Sequence, residues 1–350
     1  MRPGSLSVLW GGFLGLSSIS RTIALNITVL QPGVPFVPGK TLPLPYAASE
    51  CDKIVELFQD LGRSTVWYLV DTVKFEGDTY EPEGMVRIGS DRYFISAGEY
   101  TTPTVSYGNG TIINGTDRTA GAGFAHLIVF NSAGTRIADA TLTEIGAIEY
   151  HNGGLDYDGE YIWATIAQYR PNTTATVVRI DPRTLEPTPI LHTNDHEGGI
   201  VHDTQTNSIV TLNWGSRNAS TWNLHRKLTT SPTDTPALQV TRNPSYYVDY
   251  QDCKFLGHPR AFAGRGVMLC SGVATIGTYN LGGIALVDME TMLPLAEVPI
   301  TMRSELGVAI TENPVDVAVV DGKLRLYWMP DQHNSTLYVY EAVADSPFEY

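Results

Sequence analysis

The chain has 350 residues, of which 43% are hydrophobic and only 17% are charged. That composition supports a sizeable core and excludes a disordered chain, a coiled coil or a collagen. Acidic residues number 37 against 23 basic ones, for a net charge of −14. So acidic a chain lacks the basic surface that binds nucleic acid or anionic membranes. The length allows one large β domain or two small domains.

The first 24 residues have the pattern of a secretory signal peptide. Arg2 precedes a short apolar segment, VLWGGFLGL, and Thr22 and Ala24 suit the −3 and −1 positions of a cleavage site. The segment is too short and too rich in glycine to span a bilayer. We therefore expect a chain that enters the secretory pathway or is secreted, with an uncleaved N-terminus as the alternative.

Six N-x-S/T sequons agree with secretion. Each is a weak signal alone, but we interpret all of them as lying in loops or at chain ends, where a glycan fits. They are Asn26, Asn109, Asn114, Asn172, Asn218 and Asn334.

Three cysteines are too few for a disulfide scaffold. Cys253 and Cys270 lie on neighbouring predicted strands and could pair, which would leave Cys51 free. No Cys/His cluster has the spacing of a structural zinc site.

Residues 25–64 are predicted to form an N-terminal extension with one short helix. Ser49 is a candidate N-cap with Asp52 three residues later, apolar residues follow at helical spacing from Ile54, and Gly62 ends the helix. We interpret this as a packing helix without a functional role.

The remainder, 65–350, is predicted to be a single all-β domain built from a repeat. One motif recurs along the chain, and it consists in order of a polar residue, a small residue, an apolar residue, a turn and a β-rich run. Clear examples are HNGGLDYDGEYIWATIAQY and HEGGIVHDTQTNSIVTLNW. The copies begin at Pro82, His151, His196, Gln251 and Asn313.

Each clear copy is followed by a strand, a tight turn and another strand, so one unit contains four antiparallel strands. That unit is a β-propeller blade, and we count five blades. The last copy ends at STLYVYEAV, from Ser335, and lacks an outer strand that TVWYLVDTVKF, from Thr65, can supply. Strands from both chain ends would then close the ring and leave no open edge. A sixth blade would have to lie in 25–64 or 217–250, and a two-sheet sandwich is the alternative fold.

The innermost strand of each blade lines the central channel, so the polar residues that begin the copies should converge there. Acid–base catalysis is the first interpretation, with Glu83, His151, His196 and Glu197 as catalytic residues. A hard cation such as calcium is the second, with Glu83, Asn152, Glu197 and Asp252 as its ligands. Alternatively, polar groups including Gln251, Asn313 and Asp316 only bond to each other and to water in a wet channel. Paired glycines, such as Gly153 and Gly154, let the strands crowd at the axis.

Aromatic and polar residues near this ring are candidates for substrate binding. Trp163 and Trp328 alternate within strands and are predicted to be core residues. The loop 100–123 is predicted to be a glycosylated surface insertion, which either decorates the surface or covers a pocket mouth. The substrate-binding candidates are Tyr80, Asn152, Trp214, Tyr250, Asp252 and Arg260. An ion pair on the surface explains Arg260 equally well.

The sequence lacks the motifs of several common enzyme classes. It contains no G-x-S-x-G elbow, no P-loop and no Rossmann fingerprint. The sequence shows no evident binding site for a redox cofactor, so we expect no cofactor.

The segments YEPEGM, YHNGGLDYDGEYIWAT and NDHEGGIVHD resemble a family of secreted fungal and bacterial propeller proteins of mostly unassigned function. The resemblance covers roughly 65–345. Fungal members with signal peptides resemble the hetero-Diels–Alderases of tropolone–sesquiterpenoid biosynthesis, of the xenovulene A type. The resemblance implies a cofactor-independent pericyclase that joins a tropolone o-quinone methide to humulene or a related alkene. Its substrates would therefore be small apolar and aromatic molecules. It assigns no catalytic residue.

Three functional hypotheses follow. A pericyclase needs a cavity that holds two partners in near-attack geometry and a hydrogen-bond donor to the dienone oxygen. The alternative is a metal-dependent propeller hydrolase or lactonase acting on a small molecule. A lectin-like binding propeller is the third, but such proteins repeat one site in every blade, and here the copies differ at the ring positions.

Overall fold

The computed structural model describes residues 25–343, apart from 63, 227, 229–233 and 246–247. The predicted signal peptide lies outside the described residues. In chain order the strands are β1 (Asn26–Val29), β2 (Val66–Lys74), β3 (Glu81–Arg87), β4 (Arg92–Thr102), β5 (Ala122–Asn131), β6 (Arg136–Thr141), β7 (His151–Tyr157), β8 (Ile162–Ala167), β9 (Ala175–Asp181), β10 (Glu186–Thr193), β11 (Glu197–Asp203), β12 (Ser208–Asn213), β13 (Asn218–Asn223), β14 (Gln239–Arg242), β15 (Asp249–Gly257), β16 (Val267–Ile276), β17 (Tyr279–Asp288), β18 (Pro294–Ile300), β19 (Val315–Val320), β20 (Lys323–Trp328) and β21 (Thr336–Val343).

The strands form five antiparallel sheets around a central axis, which confirms the five-bladed propeller. Their strand orders are β3-β4-β5-β6-β1, β7-β8-β9-β10, β11-β12-β13-β14, β15-β16-β17-β18 and β19-β20-β21-β2, from the inside outwards. The inner strands β3, β7, β11, β15 and β19 contact one another at the axis. The second, third and fourth blades are built from four consecutive strands, as the repeat predicts, and the first blade adds β1 to four consecutive strands.

Both chain ends contribute to the last blade, as predicted. Strand β2 pairs antiparallel with β21 from Val66 opposite Val343 to Lys74 opposite Thr336. The two stretches that could have hidden a sixth blade instead supply outer strands. Strand β1 pairs with β6 as a fifth strand of the first blade, and β13 and β14 complete the third.

The helical segment differs from the sequence prediction. It consists of a single turn, α1 (Tyr46–Ser49), and a longer helix, α2 (Cys51–Gln59). The predicted N-cap was wrong, because the Ser49 hydroxyl donates to the Tyr46 carbonyl 3.2 Å away and does not cap α2. Buried Ile54 and Phe58 pack α2 against the fourth and fifth blades, so its predicted packing role is confirmed.

The hydrophobic core is divided into five clusters, one between each pair of neighbouring blades. Inner and middle strands are buried on both faces, which explains why so few charges suffice for this chain. Trp163 and Trp328 belong to these clusters, which confirms the prediction that both are core residues. Cys253 and Cys270, opposite each other on β15 and β16, form a disulfide, and Cys51 is free.

Glycines allow the inner strands to approach closely, as predicted. A Cβ atom at Gly153 would lie 2.0 Å from the carbonyl oxygen of Gly198 on the next blade. A Cβ atom at Gly84 would lie 2.3 Å from the backbone nitrogen of Leu155. Neither distance is compatible with a side chain, so the axis can close only with glycine at these positions.

The sequons are less uniform than predicted. Five of the asparagines are exposed, but Asn218 is half-buried. Asn218 begins strand β13, so the prediction that all six lie in loops or at chain ends was wrong for this position, whereas Asn26 begins β1 at the N-terminal end of the described residues. Within the described part of the chain, no helix is both long enough and apolar enough to cross a membrane.

Candidate functional site

A cavity of about 240 Å³ lies where the inner strands begin. Polar groups from all five blades line it. Its walls include Glu81, Glu83, His151, Tyr169, His196, Asn213, Trp214, Asp249, Tyr250, Gln251, Glu312, Asn313 and Gln332. At the opposite end of the axis, Tyr46 of α1 covers the Arg87 guanidinium at 4.6 Å, so the N-terminal helical segment occupies that end of the channel.

Two carboxyl groups and an imidazole meet on one side of the cavity. One potential ligand atom from each of Glu81, Glu83 and His151 lies within 4.8 Å of the other two. Glu83 Oε1 is 3.8 Å from His151 Nδ1, which is too long for a direct hydrogen bond. The amide of Asn313 donates to the other carboxyl oxygen of Glu83. Tyr169 donates its hydroxyl proton to Glu81 over 3.1 Å.

Burial sets the charge of this group. It raises the pKa of Glu83 well above its usual range, and the nearby carboxylates of Glu81 and Glu312 raise it further. Burial also lowers the pKa of His151 well below its usual range, with the neighbouring His196 adding to the effect. The protein alone therefore favours a protonated Glu83 beside a neutral His151.

His196 has a defined tautomer. Its Nδ1 lies 2.6 Å from the carbonyl oxygen of Gln168, which can only accept, so Nδ1 carries the proton and Nε2 carries the lone pair. Burial lowers the pKa of His196 to about 4, so the ring is neutral at pH 7. A Cβ atom at Gly198 would lie 3.2 Å from Nε2, so this glycine keeps the lone pair accessible from the cavity.

Aromatic rings form the wall next to His196. The Trp214 ring packs edge-on against His196 with centroids 4.9 Å apart and against Tyr169 with centroids 5.5 Å apart. Arg118 of the inserted loop lies 4.7 Å above the Trp214 ring and pairs with Asp117. The predicted surface loop thus contacts the wall of the cavity.

The structure brings together five of the residues predicted for the site. Glu83, His151 and His196 line the cavity, together with Trp214 and Tyr250. All five lie on or directly before an inner strand, or at the turn after a middle strand, which is where the blade repeat placed them.

Two of the predicted catalytic and ligand residues point into the protein. Glu197 does not line the cavity, because its carboxyl accepts from the Thr211 hydroxyl at 2.8 Å within the third blade. Asn152 is fully buried and donates to the carbonyl of His126 at 2.7 Å. Each of them is the neighbour of a histidine that does line the cavity, His196 and His151, and adjacent strand residues commonly face opposite sides.

Asp252 was predicted to bind substrate or metal, but it holds the axis together. Its Oδ2 accepts from the backbone nitrogens of Val315 at 3.0 Å and Met85 at 3.3 Å. Its Oδ1 accepts from Leu155 N at 3.2 Å and Lys254 Nζ at 2.6 Å. The predicted one-per-blade ligand set is therefore not assembled, since only Glu83 of its four members lines the cavity.

Tyr80 and Arg260 also lie away from the site. Tyr80, which directly precedes β3, stacks on His126 of β5 with centroids 4.3 Å apart and does not line the cavity. Arg260 is 90% exposed and bonds to Asp52 of α2 at 2.8 Å, which is the surface ion pair that had been the alternative explanation.

Sequence reasoning missed several residues of the site. Glu81 is two residues before Glu83, but pairing is irregular between Pro82 and Gly84, so the period-two spacing alone does not show that the two share a face. Tyr169 follows β8 and Gln332 follows β20, both in connections outside the repeat motif. No local pattern distinguishes such loop residues, because the return of the chain to the axis decides their position.

Similarity to solved structures extends over most of the chain at low sequence identity. Solved structures similar to it include a bifunctional GH43-CE protein of Bacteroides eggerthii (10% identity, covering 77% of this chain and 34% of that chain, TM-score 0.46). Raptor of Chaetomium thermophilum is another (10% identity, 84% and 31%, TM-score 0.39), as is a luciferin-regenerating enzyme (9% identity, 79% and 96%, TM-score 0.40). The aligned part of the chain spans about a third of the length of the first two.

No curated protein matches the sequence. A model of a family of unknown function, DUF6454, matches residues 42–346, and the chain belongs to that family.

Proposed function

We propose that the protein is a hydrolase of small carbonyl compounds, such as esters or lactones. One observation carries the proposal, namely that a single cavity pairs the lone pair of His196 Nε2 with the Glu81–Glu83–His151 group. A hydrolytic site needs a base for water on one side of the substrate carbonyl and an electrophile on the other.

In this mechanism His196 Nε2 accepts a proton from the attacking water, whose oxygen forms the new bond to the carbonyl carbon. Negative charge then develops on the carbonyl oxygen, which lies towards Glu83 and His151, and the protonated carboxyl of Glu83 stabilises it by donating a hydrogen bond. A cation held by the same residues would supply the same stabilisation. Proton transfer from His196 to the leaving oxygen completes the cleavage. The Gln168 carbonyl stabilises the ring while it is protonated, because it holds Nδ1–H in place.

The test is hydrolysis of a panel of small esters and lactones by the wild-type protein, His196→Gln and His258→Gln. His258 is a matched control, since it bonds to Asp203 on β11 at 2.9 Å and lies outside the cavity. We expect turnover of at least one substrate, a loss of at least about 100-fold in His196→Gln and little change in His258→Gln. No turnover by the wild-type protein would contradict the proposal.

A hetero-Diels–Alderase that joins a tropolone o-quinone methide to humulene is the second candidate. Beyond the family resemblance, the Trp214–Tyr169 wall and an apolar recess lined by Leu281, Ile284 and Val298, which shares Tyr250 with the cavity, support it. The polar walls of the cavity favour hydrolysis, since two apolar partners need a mostly apolar site. Incubation with a quinone-methide precursor and humulene tests this candidate, and a rate equal to that in buffer rejects it.

We also propose that the protein acts in the secretory pathway or after secretion. The exposed sequons Asn109 and Asn114 of the inserted loop and Asn172 nearby support this location. Expression in a eukaryotic host followed by enzymatic deglycosylation should reduce the mass of the secreted chain. An unglycosylated chain retained in the cytosol would contradict it.

A further inference from the structure

We propose that Glu81, Glu83 and His151 bind one divalent cation of the first transition series, with Zn²⁺ as its representative. The binding stands on the geometry alone, whereas its use as the electrophile for the substrate carbonyl rests on the hydrolase function proposed above.

The separations of the three groups suit a shared ion. Two ligands about 2.1 Å from one zinc ion are about 3.4 Å apart in a tetrahedral site and about 4.2 Å apart when they lie opposite each other. The 3.8 Å between Glu83 Oε1 and His151 Nδ1 falls between these limits. Glu81 also offers one ligand atom within 4.8 Å of a ligand atom of each of the other two residues, so the three groups surround one position.

Unpartnered polar atoms provide a second, independent observation. His151 is 5% exposed, and its Nδ1 is buried without a hydrogen-bond partner, although it lies nearest to a carboxyl oxygen. The Oδ1 atom of Asn313, whose amide nitrogen donates to Glu83, is also buried and unpartnered. Buried nitrogen and oxygen atoms are almost always satisfied in folded proteins, so an unpartnered nitrogen aimed at a carboxyl group indicates a missing partner. A cation between His151 and Glu83 provides a partner for this nitrogen without requiring the two side chains to move closer together.

The donor types narrow the choice of ion. Calcium and magnesium take oxygen ligands, whereas an imidazole nitrogen with two carboxylates suits zinc and its neighbours in the series. Three protein ligands leave a fourth position open, which distinguishes a catalytic zinc site from a structural one. The Trp214 and His196 rings line the same cavity, so a water at that open position would lie among the residues proposed to act on the substrate.

The experiment is zinc titration by calorimetry of the full chain, purified without a histidine tag and freed of metal with a chelator. Glu83→Gln and His151→Gln each remove a ligand. Glu312→Gln is the matched control, because it removes a carboxylate from the same cavity but outside the ligand set. We expect one zinc per wild-type chain, affinity at least about 100-fold weaker in both ligand variants, and a change below about three-fold in the control.

Circular dichroism identifies any variant that fails to fold, and Glu81→Gln then replaces it. Cobalt substitution adds a spectroscopic readout, since nitrogen ligation by His151 should be lost from the cobalt absorption spectrum in His151→Gln only. Absence of stoichiometric binding, or equal weakening in Glu312→Gln and the ligand variants, overturns the site.

The cation site and the hydrolase function fail separately. Zinc binding without hydrolysis of any panel substrate supports the site and counts against the function. Hydrolysis by a chain that binds no zinc supports the function and overturns the site.

Discussion

The two ends of the propeller axis use the same kinds of side chain in opposite ways. At the end covered by Tyr46, called the narrow end because its cavity measures only about 10 Å³, Asp156 accepts from the backbone nitrogens of His202 and Phe255, and Asp316 accepts from that of Arg87. At the opposite end, called the wide end, which holds the cavity of about 240 Å³, Glu83 lies 3.8 Å from an imidazole nitrogen of His151 without a direct hydrogen bond. Asp156 and Asp316 thus join neighbouring blades through backbone N–H groups, whereas Glu83 accepts no backbone N–H group of the described residues and faces the cavity.

Asp252 lies between the two ends and belongs to the structural set. Its bonds reach β3, β7 and β19 from β15, so one side chain joins four of the five inner strands. This distinction gives a practical rule for propellers of this kind. Backbone N–H donors from other blades mark a carboxyl group as structural, whatever its position in the repeat.

The largest expected effect comes from removing Asp252. Asp252→Ala leaves three buried backbone N–H groups without an acceptor and Lys254 without its counter-ion. We expect a loss of about 4 kcal/mol or more in the free energy of unfolding, or failure to fold. Urea unfolding measures it, with Glu83→Gln as the wide-end control expected to stay within about 1 kcal/mol of wild type. Equal losses in the two variants would remove the distinction between the ends.

The pH dependence of stability tests the narrow end. Burial raises the pKa of Asp156 to about 7 in the folded protein, against about 4 in an unfolded chain. The stabilisation from its protonated form is therefore complete below pH 4 and is lost as the pH rises towards 7. We expect the stability advantage of wild type over Asp156→Asn to shrink by an amount on the order of 3 kcal/mol across this window. Urea unfolding at several pH values measures it, and a constant difference would contradict it.

A smaller effect on turnover is expected from a substitution that restricts access to His196 without replacing the histidine itself. In Gly198→Ala the new methyl group lies 3.2 Å from Nε2, so water has poorer access to the lone pair. We expect turnover to fall about ten-fold with little change in the unfolding midpoint. Gly283→Ala is the control, because its nearest neighbour is the Val298 carbonyl oxygen at an ordinary 3.6 Å. Full turnover in Gly198→Ala would argue against His196 as the base.

The smallest effects are expected from residues that the repeat suggested and the structure places elsewhere. Burial raises the pKa of Glu197 well above its usual range, so glutamine resembles its protonated form. We expect Glu197→Gln to keep wild-type turnover, and Arg260→Ala at the exposed α2 contact to change neither turnover nor unfolding midpoint. Steady-state kinetics and thermal unfolding test both. A large loss of turnover in Glu197→Gln would return that residue to the site.

Much of the fold was predictable from sequence because the repeat is local. Copies beginning with Pro82, His151 and His196 indicated inner strands, and the strand from Thr65 was correctly paired with the last blade. The site was predictable only in part. His151 and Asn152 are adjacent and equally polar, yet one lines the cavity and the other bonds inwards to His126.

The site residues were only partly predictable because the side of the strand that each residue faces depends on register shifts, and amino-acid composition does not reveal those shifts. Irregular pairing occurs between Asn152 and Leu155, between Glu197 and Gly199, and between Pro82 and Gly84. Each irregularity lies at the start of an inner strand, where the site residues are. A one-residue shift exchanges the two faces of a strand, so alternation alone cannot assign them there.

The sequence by itself determined the blade and the pairing of the two chain ends, because alternation, turns and period are properties of neighbouring residues. It indicated five blades but left a sixth open, and the structure decided for five. Only the tertiary structure decided which carboxyl groups hold the axis together and which face the cavity. That choice depends on backbone donors from other blades, such as Met85 and Val315 around Asp252, and on loops that return Tyr169 and Gln332 to the axis. Those partners are far apart in the chain and meet only when the ring closes.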